Sequence, residues 1–336
     1  MPRPPRISCS EHGTVQVEIP WSERSSRFTG RFEVMAIDVL ISTDVKSASG
    51  TPGITWNEAW HIMQKAVSRG LARKTSTPAR IGIDEKSCGK HHHYATIVYN
   101  LDSPAVDHIE FDRKKESLDL YYAETGKDAS GNIEAVSMDM WDPFIASTRS
   151  HVTDAESRIV FDRFHIMKHM NMALDDVRKI ESRMADSKEI LKKTGYLWLH
   201  SCENLLDKHR EKYEILKESD LKTARAYAIK ENLRNLLNCT TQEEAVSFWK
   251  KWHWWASHSR LNPVKKVARM MKHHLYGILS YFRHHITNAM AEGLNSKISA
   301  VQKMSCGFRN REHFKIAIHL HYGNLQLYPD THRNLG

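Results

Sequence analysis

The sequence predicts a mixed α/β fold interrupted by a long helical tract, on three observations. Short apolar runs that end on an acid recur between residues 78 and 170, at Ile81–Glu85, Ile133–Asp139 and Ser157–Asp162, with helical stretches between them. That is the pattern of a mixed sheet with helices packed against it. Residues 171–275 are rich in Leu, Lys, Glu, Trp and His with few Gly or Pro, and the pattern stays helical from there to the end. Ahead of the sheet, residues 27–77 hold two helical periodicities separated by a Gly- and Pro-bearing break.

A chain of 336 residues that is 40% hydrophobic can bury two or three cores, which excludes a disordered protein. Lys and Arg total 49 against 40 Asp and Glu, so the formal charge is +9 and a polyanionic partner is favoured over an acidic protein. The five cysteines (Cys9, Cys88, Cys202, Cys239, Cys306) are scattered and contain no CxxC pair, as in a reducing compartment. Met1–Arg6 lacks the apolar stretch of a signal peptide, and no apolar run reaches spanning length. These features predict a cytoplasmic, nucleoid-associated protein without a membrane partner.

Taken in order, residues 1–26 hold Cys9-Ser-Glu-His12, the spacing of half a zinc site. Structural zinc wants four ligands, so bound zinc is not expected. Phe28, Phe32, Met35, Ala36 and Val39 fall at helical spacing, followed by a break at Ser47–Gly53. Thr55 and Glu58 form a capping box for a helix reaching about Arg73. Trp60, Met63, Ala66, Val67 and Leu71 are expected inward, with Lys65, Arg69, Arg73 and Lys74 on its outer face and end. Two helices, a Gly-bearing turn and a basic second helix predict a DNA-binding helix-turn-helix over residues 27–77, with a plain helical hairpin as the alternative.

A linker at Lys74–Arg80 leads into the strand Ile81-Gly-Ile-Asp84-Glu85. Alternation puts Gly82 and Asp84 on one face and Ile81, Ile83 and Glu85 on the other. Tyr94–Tyr99 and Asp107–Phe111 read as further strands, and His91-His-His93 as a solvent- or DNA-facing loop, since consecutive side chains diverge. Trp249, Trp252, Trp254 and Trp255 are read as core. One helix is expected from about Leu275 to Gln302, with Asn288, Glu292 and Asn295 on a single polar stripe.

Three acids stand out: Asp84 and Asp139 at strand ends, 55 residues apart, and Glu292 on a late helix, 153 residues further on. Converging on one sheet edge, they would repel unless cations neutralised them. The segments Gly82–Glu85, Ser137–Met140, Phe161–His165, Thr287-Asn288 with Glu292–Asn295, and Cys306–Asn310 together resemble the DDE transposases of the insertion-sequence group called ISL-three. The resemblance covers nearly the whole chain and implies a ribonuclease H-like core. Its first part would span residues 78–170, the all-helical insertion 171–275, and the last core helices, with Glu292, 276–336. It further implies Asp84, Asp139 and Glu292 as catalytic metal ligands, with Asp162, His165, Asn288 and Asn295 supporting. Residues 1–26 match only the second half of the family's zinc ribbon, which suggests a truncated copy.

Two Mg²⁺ or Mn²⁺ ions about 3.5–4 Å apart can clamp the attacking and leaving oxygens of a phosphodiester. Asp84 is expected to bridge both, with Asp139 and Glu292 completing one each. The partners implied are double-stranded DNA, as the element's terminal inverted repeats and as target, and further copies of the chain in a synaptic complex. Lys65, Arg69, Arg73, Lys74, Lys297, Lys303, Arg309 and Arg311 would hold the DNA backbone. A ribonuclease H-like nuclease without strand transfer, and a decayed copy that only binds DNA, are the alternatives.

Overall fold

A two-stranded antiparallel hairpin, β1 (Arg6–Cys9) and β2 (Gly13–Gln16), comes first, with Gly13 at φ +70° leaving its turn. The computed structural model describes residues 6–16, 19, 21–23, 26–88, 94–199, 213–217 and 219–330. His91–His93 lie outside the described residues. Three helices follow the hairpin: α1 (Gly30–Ser42), α2 (Val45–Gly50) and α3 (Trp56–Ala72). The expected capping box of Thr55 and Glu58 starts α3. The expected break at Ser47–Gly53 is partly helical, because Asp44 accepts the backbone N–H of Lys46 and Ser47 and so starts α2. Trp60, Met63, Ala66 and Val67 are buried as expected, whereas Met35 and Leu71 are exposed.

Five strands make the main sheet: β3 (Arg80–Ser87), β4 (Tyr94–Asn100), β5 (Ala105–Phe111), β6 (Ala135–Met138) and β7 (Ile159–Phe161). Their order is β5-β4-β3-β6-β7, with β4 and β5 antiparallel and β3, β6 and β7 parallel. A mixed sheet in this order is consistent with a ribonuclease H-like core. β6 and β7 are buried throughout, so both faces are covered, as parallel strands require. α4 (Lys115–Thr125) and α5 (Lys127–Gly131) make the crossing from β5 to β6; α6 (Asp142–His151) and α7 (Ala155–Arg158) make that from β6 to β7.

Beyond β7 the described chain is helical: α8 (Arg163–Glu181), α9 (Ala185–Leu191), α10 (Gly195–Leu199), α11 (Lys222–Leu237), α12 (Gln242–His258), α13 (Asn262–His273), α14 (Leu275–His284), α15 (Ala289–Met304) and α16 (Arg311–Tyr322). Glu181, buried at the end of α8, accepts the backbone N–H of Lys222 and Thr223 and so caps α11 from a distance. On α12, Trp249 and Trp252 are core as expected, but Trp254 is 65% exposed. The single helix expected over 275–302 is two helices. His285 at φ +49° ends α14, and β-branched Ile286 and Thr287 follow before α15 begins. Asn288 therefore precedes the helix that carries Glu292 and Asn295. Gly277 lets α14 lie against β7, since a Cβ there would meet the Phe161 ring at 2.5 Å.

The chain forms two compact units. One comprises residues 1–78, 85–113 and 289–336, with α1–α3, β4, β5, α15 and α16; the other comprises residues 79–84 and 114–288. No described helix is long and apolar enough to cross a membrane.

Candidate active site

Strand register aligns three acids in the second unit. Gly82 pairs with Ser137 across β3 and β6, so two residues on, Asp84 stands level with Asp139. Met138 pairs with Phe161 across β6 and β7, so Asp139 in turn stands level with Asp162. Side chains two apart share a face, and neighbouring strands lie about 4.8 Å apart. Asp84, inside β3, and Asp139 and Asp162, just past the ends of β6 and β7, thus form a row at the carboxyl edge of the paired parallel segment, where open α/β sheets bind ligands. β3 runs on to Ser87, so Asp84 does not end its strand as the sequence suggested.

The three acids have different surroundings. Asp162 is 5% exposed; its Oδ1 accepts the Phe164 N–H at 3.4 Å as the N-cap of α8, and its Oδ2 lies 2.9 Å from His165 Nδ1. Asp139 has a side chain 39% exposed, and its Oδ1 accepts the Met140 N–H at 2.6 Å. Asp84 is half-buried. His165 bridges the row, with Nε2 3.9 Å from Asp139 Oδ2 while Nδ1 meets Asp162. Its pKa is raised, chiefly by the Asp162 hydrogen bond, against burial and with help from the charges of Asp139 and Asp84. One turn on, burial lowers the pKa of His169 while Asp139 opposes the shift. His169 was missed in the sequence, though its spacing of four from His165 puts both on one face. Asp142, another acid close behind β6, begins α6.

Glu292 is exposed in the first turn of α15, in the first unit. That helix is anchored to the sheet of its own unit: Tyr99 donates to Asn295 Oδ1 at 2.6 Å, and Lys86 Nζ donates to the Asn295 carbonyl at 2.9 Å and to Ser299. Asn288, in the second unit, is buried and donates a long hydrogen bond of 3.5 Å to the Ile83 carbonyl. Among the described residues, no three His, Cys, Asp or Glu side chains gather closely enough to hold a metal ion.

Residues 81–318 match the family model for ISL3-type DDE transposases, described as "Transposase". The chain belongs to the ISL3 family of DDE transposases. It is 25% identical over 321 residues to the transposase for insertion sequence element IS1001 of Bordetella parapertussis, covering 93% of this chain and 78% of that protein. To the transposase for IS1557 of Mycobacterium tuberculosis it is 24% identical over 337 residues, covering 91% and 74%.

DDE transposases generally use a divalent metal, and the acids of this transposase suit one. Asp84 and Asp139 are oxygen donors set level on adjacent strands and open to solvent in part, a like-charged pair that a hard cation would relieve. Further along the chain, the Cys306–Asn310 segment makes the turn into α16. Cys306 and Gly307 take φ +52° and +91°, and Asn310 caps the helix through the N–H groups of Glu312 and His313. Near the N-terminus, Cys9 Sγ lies 3.4 Å from His12 Nδ1 on the β1–β2 turn, a pair of donors where structural zinc takes four.

The transposase is a DNA-acting protein, but its cations are not all placed as the sequence suggested. On α3, Lys65 and Arg69 turn inward to Glu23 and Glu33 at 2.7–3.2 Å, leaving Arg69 10% exposed. Arg73 meets Asp330 and Lys74 meets Asp107, at 2.6 and 2.7 Å. The reason is charge: Glu23 and Glu33, remote in sequence, supply the counter-ions. The outer face of α3 is instead Asn57, His61, Gln64 and Ser68. Lys297, Lys303, Arg309 and Arg311 are exposed, Arg311 lying over the Phe111 ring at 4.9 Å.

Proposed function

We propose that this transposase cleaves DNA at the ends of its insertion element and joins the freed ends to target DNA, with Asp84, Asp139 and Glu292 as catalytic carboxylates. The observation that carries this reading is the register that sets Asp84 level with Asp139 just beyond the paired stretch of β3 and β6. For the third acid, support comes from the family match over residues 81–318 and from the motif-like run Glu292-Gly-Leu-Asn295 within it.

The residues divide the work as follows. Asp84 and Asp139 would hold Mg²⁺ or Mn²⁺, with Glu292 completing the set. When bound, a pair of such ions lowers the pKa of an attacking water and relieves charge on the phosphoryl group. Asp162 fixes the His165 ring through Nδ1, and His165 in turn restrains the Asp139 carboxylate. Cleavage breaks the P–O bond at the element end and leaves a 3′-hydroxyl. That hydroxyl then attacks a target phosphodiester, one P–O bond forming as another breaks. The DNA partners are the terminal inverted repeats and the target duplex, brought together by further copies of the chain in the cytoplasm.

The test is Asp84→Asn on a labelled duplex carrying an element end. Cleavage and joining should vanish while binding persists. Cleavage at the parental rate ends the assignment, and cleavage without joining in the parent leaves a nuclease. A parent that binds but never cleaves is a DNA-binding protein.

A further inference from the structure

Where the cations of α3 are taken up by ion pairs, a second set stands exposed on α13. Its 12 residues contain no acid and carry Lys265, Lys266, Arg269 and Lys272. Val264, Val267, Ala268 and Met271 are buried, so the helix is seated by its apolar side and the cations are turned away from it. Lys266, Arg269 and Lys272 are exposed and Lys265 is half-buried. Among the described residues none of the four forms an ion pair, in contrast to Lys65, Arg69, Arg73 and Lys74. Uncompensated charge on a rigid helix is an electrostatic footprint for a polyanion.

Spacing and position both fit a nucleic-acid backbone. From Lys265 to Lys272 the helix rises about 10 Å, and a duplex strand presents a phosphate about every 3.4 Å along its axis, so the stripe spans about three phosphates. Immediately after α13 comes His274, buried in the same unit. Its ring packs edge-on against Phe161, centroids 5.1 Å apart, and Phe161 precedes Asp162 and pairs with Met138, the residue before Asp139. The end of the stripe therefore lies beside the strands that carry the acid row.

We propose that Lys265, Lys266, Arg269 and Lys272 form a track that binds the phosphate backbone of duplex DNA leading into Asp84 and Asp139. This deepens the function given above and presupposes that the transposase acts on DNA. Phosphate contacts carry no sequence information, so the track contributes equally on element-end and random duplexes.

The experiment measures binding of the full chain to both duplexes by fluorescence anisotropy between about 50 and 200 mM salt. Each phosphate contact contributes about 0.9 to the log–log salt slope, so replacing all four residues by Gln, and with them three to four contacts, should lower that slope by about 2.7 to 3.6. Equivalently, the affinity lost between those salt concentrations should shrink by about 40- to 150-fold on both duplexes. Gln keeps helix propensity, and circular dichroism checks folding. The charge-preserving set Lys265→Arg, Lys266→Arg and Lys272→Arg should hold the parental slope. As a matched control, Lys127, Lys179, Lys188 and Lys192, exposed elsewhere on the second unit, are changed to Gln and should leave it within about 1.

An unchanged slope in the Gln set, or an equal fall in the control, overturns the track. If cleavage still depends on Asp84 in that event, the catalytic assignment stands without it. A parent that binds neither duplex overturns both.

Discussion

Replacing His319 should remove a specific part of the acid sensitivity of the unit that carries Glu292. His319 sits on α16, 7% exposed, with Nδ1 lacking a hydrogen-bond partner among the described residues. Burial, with the charges of His108, Lys74 and Lys315 around it, lowers its pKa from 6.5 to about 4. Lys74 and Lys315 are held there by Asp107 and Glu110 at 2.7 and 2.8 Å. A base whose folded pKa is depressed contributes its full stability above the unfolded value. That contribution falls as pH drops from about 6.5 to about 4, because the unfolded chain takes up a proton that the folded one refuses.

At about pH 5 the loss relative to about pH 7.5 is about 2 kcal/mol, or about 30-fold in an opening equilibrium. Hydrogen exchange of α16 peptides reads this directly, with α11 peptides from the other unit as an internal reference. His319→Leu, of similar bulk and without a titrating group, should lose about 30-fold less protection on acidification than the parent, after correction for intrinsic exchange. His321 is retained in both proteins, so its own contribution cancels. Identical pH responses in parent and variant would refute the reasoning.

Three further outcomes follow from packing. Gly277→Ala should destabilise by about 1–3 kcal/mol despite better helix propensity, because its methyl collides with the buried Phe161 ring; unchanged urea unfolding of the second unit would count against that fit. Glu33→Gln should cost about 1–3 kcal/mol in the first unit, since Arg69 and Lys65 would share Glu23 as their remaining carboxylate, and the loss should appear as faster exchange in α3. Glu181→Ala should cost about 3 kcal/mol by freeing the Lys222 and Thr223 amides, with exchange rising first at the start of α11.

The sheet was legible because its strands carry their own evidence: apolar runs of strand length, three of which, those of β3, β6 and β7, lead into an acid. The alignment of Asp84 with Asp139 needs only the parallel register of Gly82 with Ser137. What the sequence hid depends on contacts between distant residues. Lys65 and Arg69 look like solvent-facing cations until Glu23 and Glu33 are brought across to them, and nothing in the spacing along α3 announces that. The break after α14 was missed for a different reason. The polar residues keep helical spacing across it, but His285 adopts a left-handed conformation that periodicity does not encode. The short α2 was hidden by its composition of Ser, Ala and Gly, which reads as a loop unless the Asp44 cap is noticed.

The acid row also gives a physical reason, under the proposed assignment, for the third carboxylate to come from outside it. By position alone Asp162, level with Asp139, is the first candidate for a third ligand. Its chemistry is already committed. One oxygen receives the amide at the start of α8, the other holds His165, and the side chain is almost wholly buried. Coordination by Asp162 would release the helix cap and the imidazole together, each worth about 1 kcal/mol or more. Asp84 and Asp139 are each partly exposed, so a cation can reach them. A hard divalent ion wants further oxygen donors, and under the proposed assignment Glu292, exposed on α15, would be the carboxylate that supplies one.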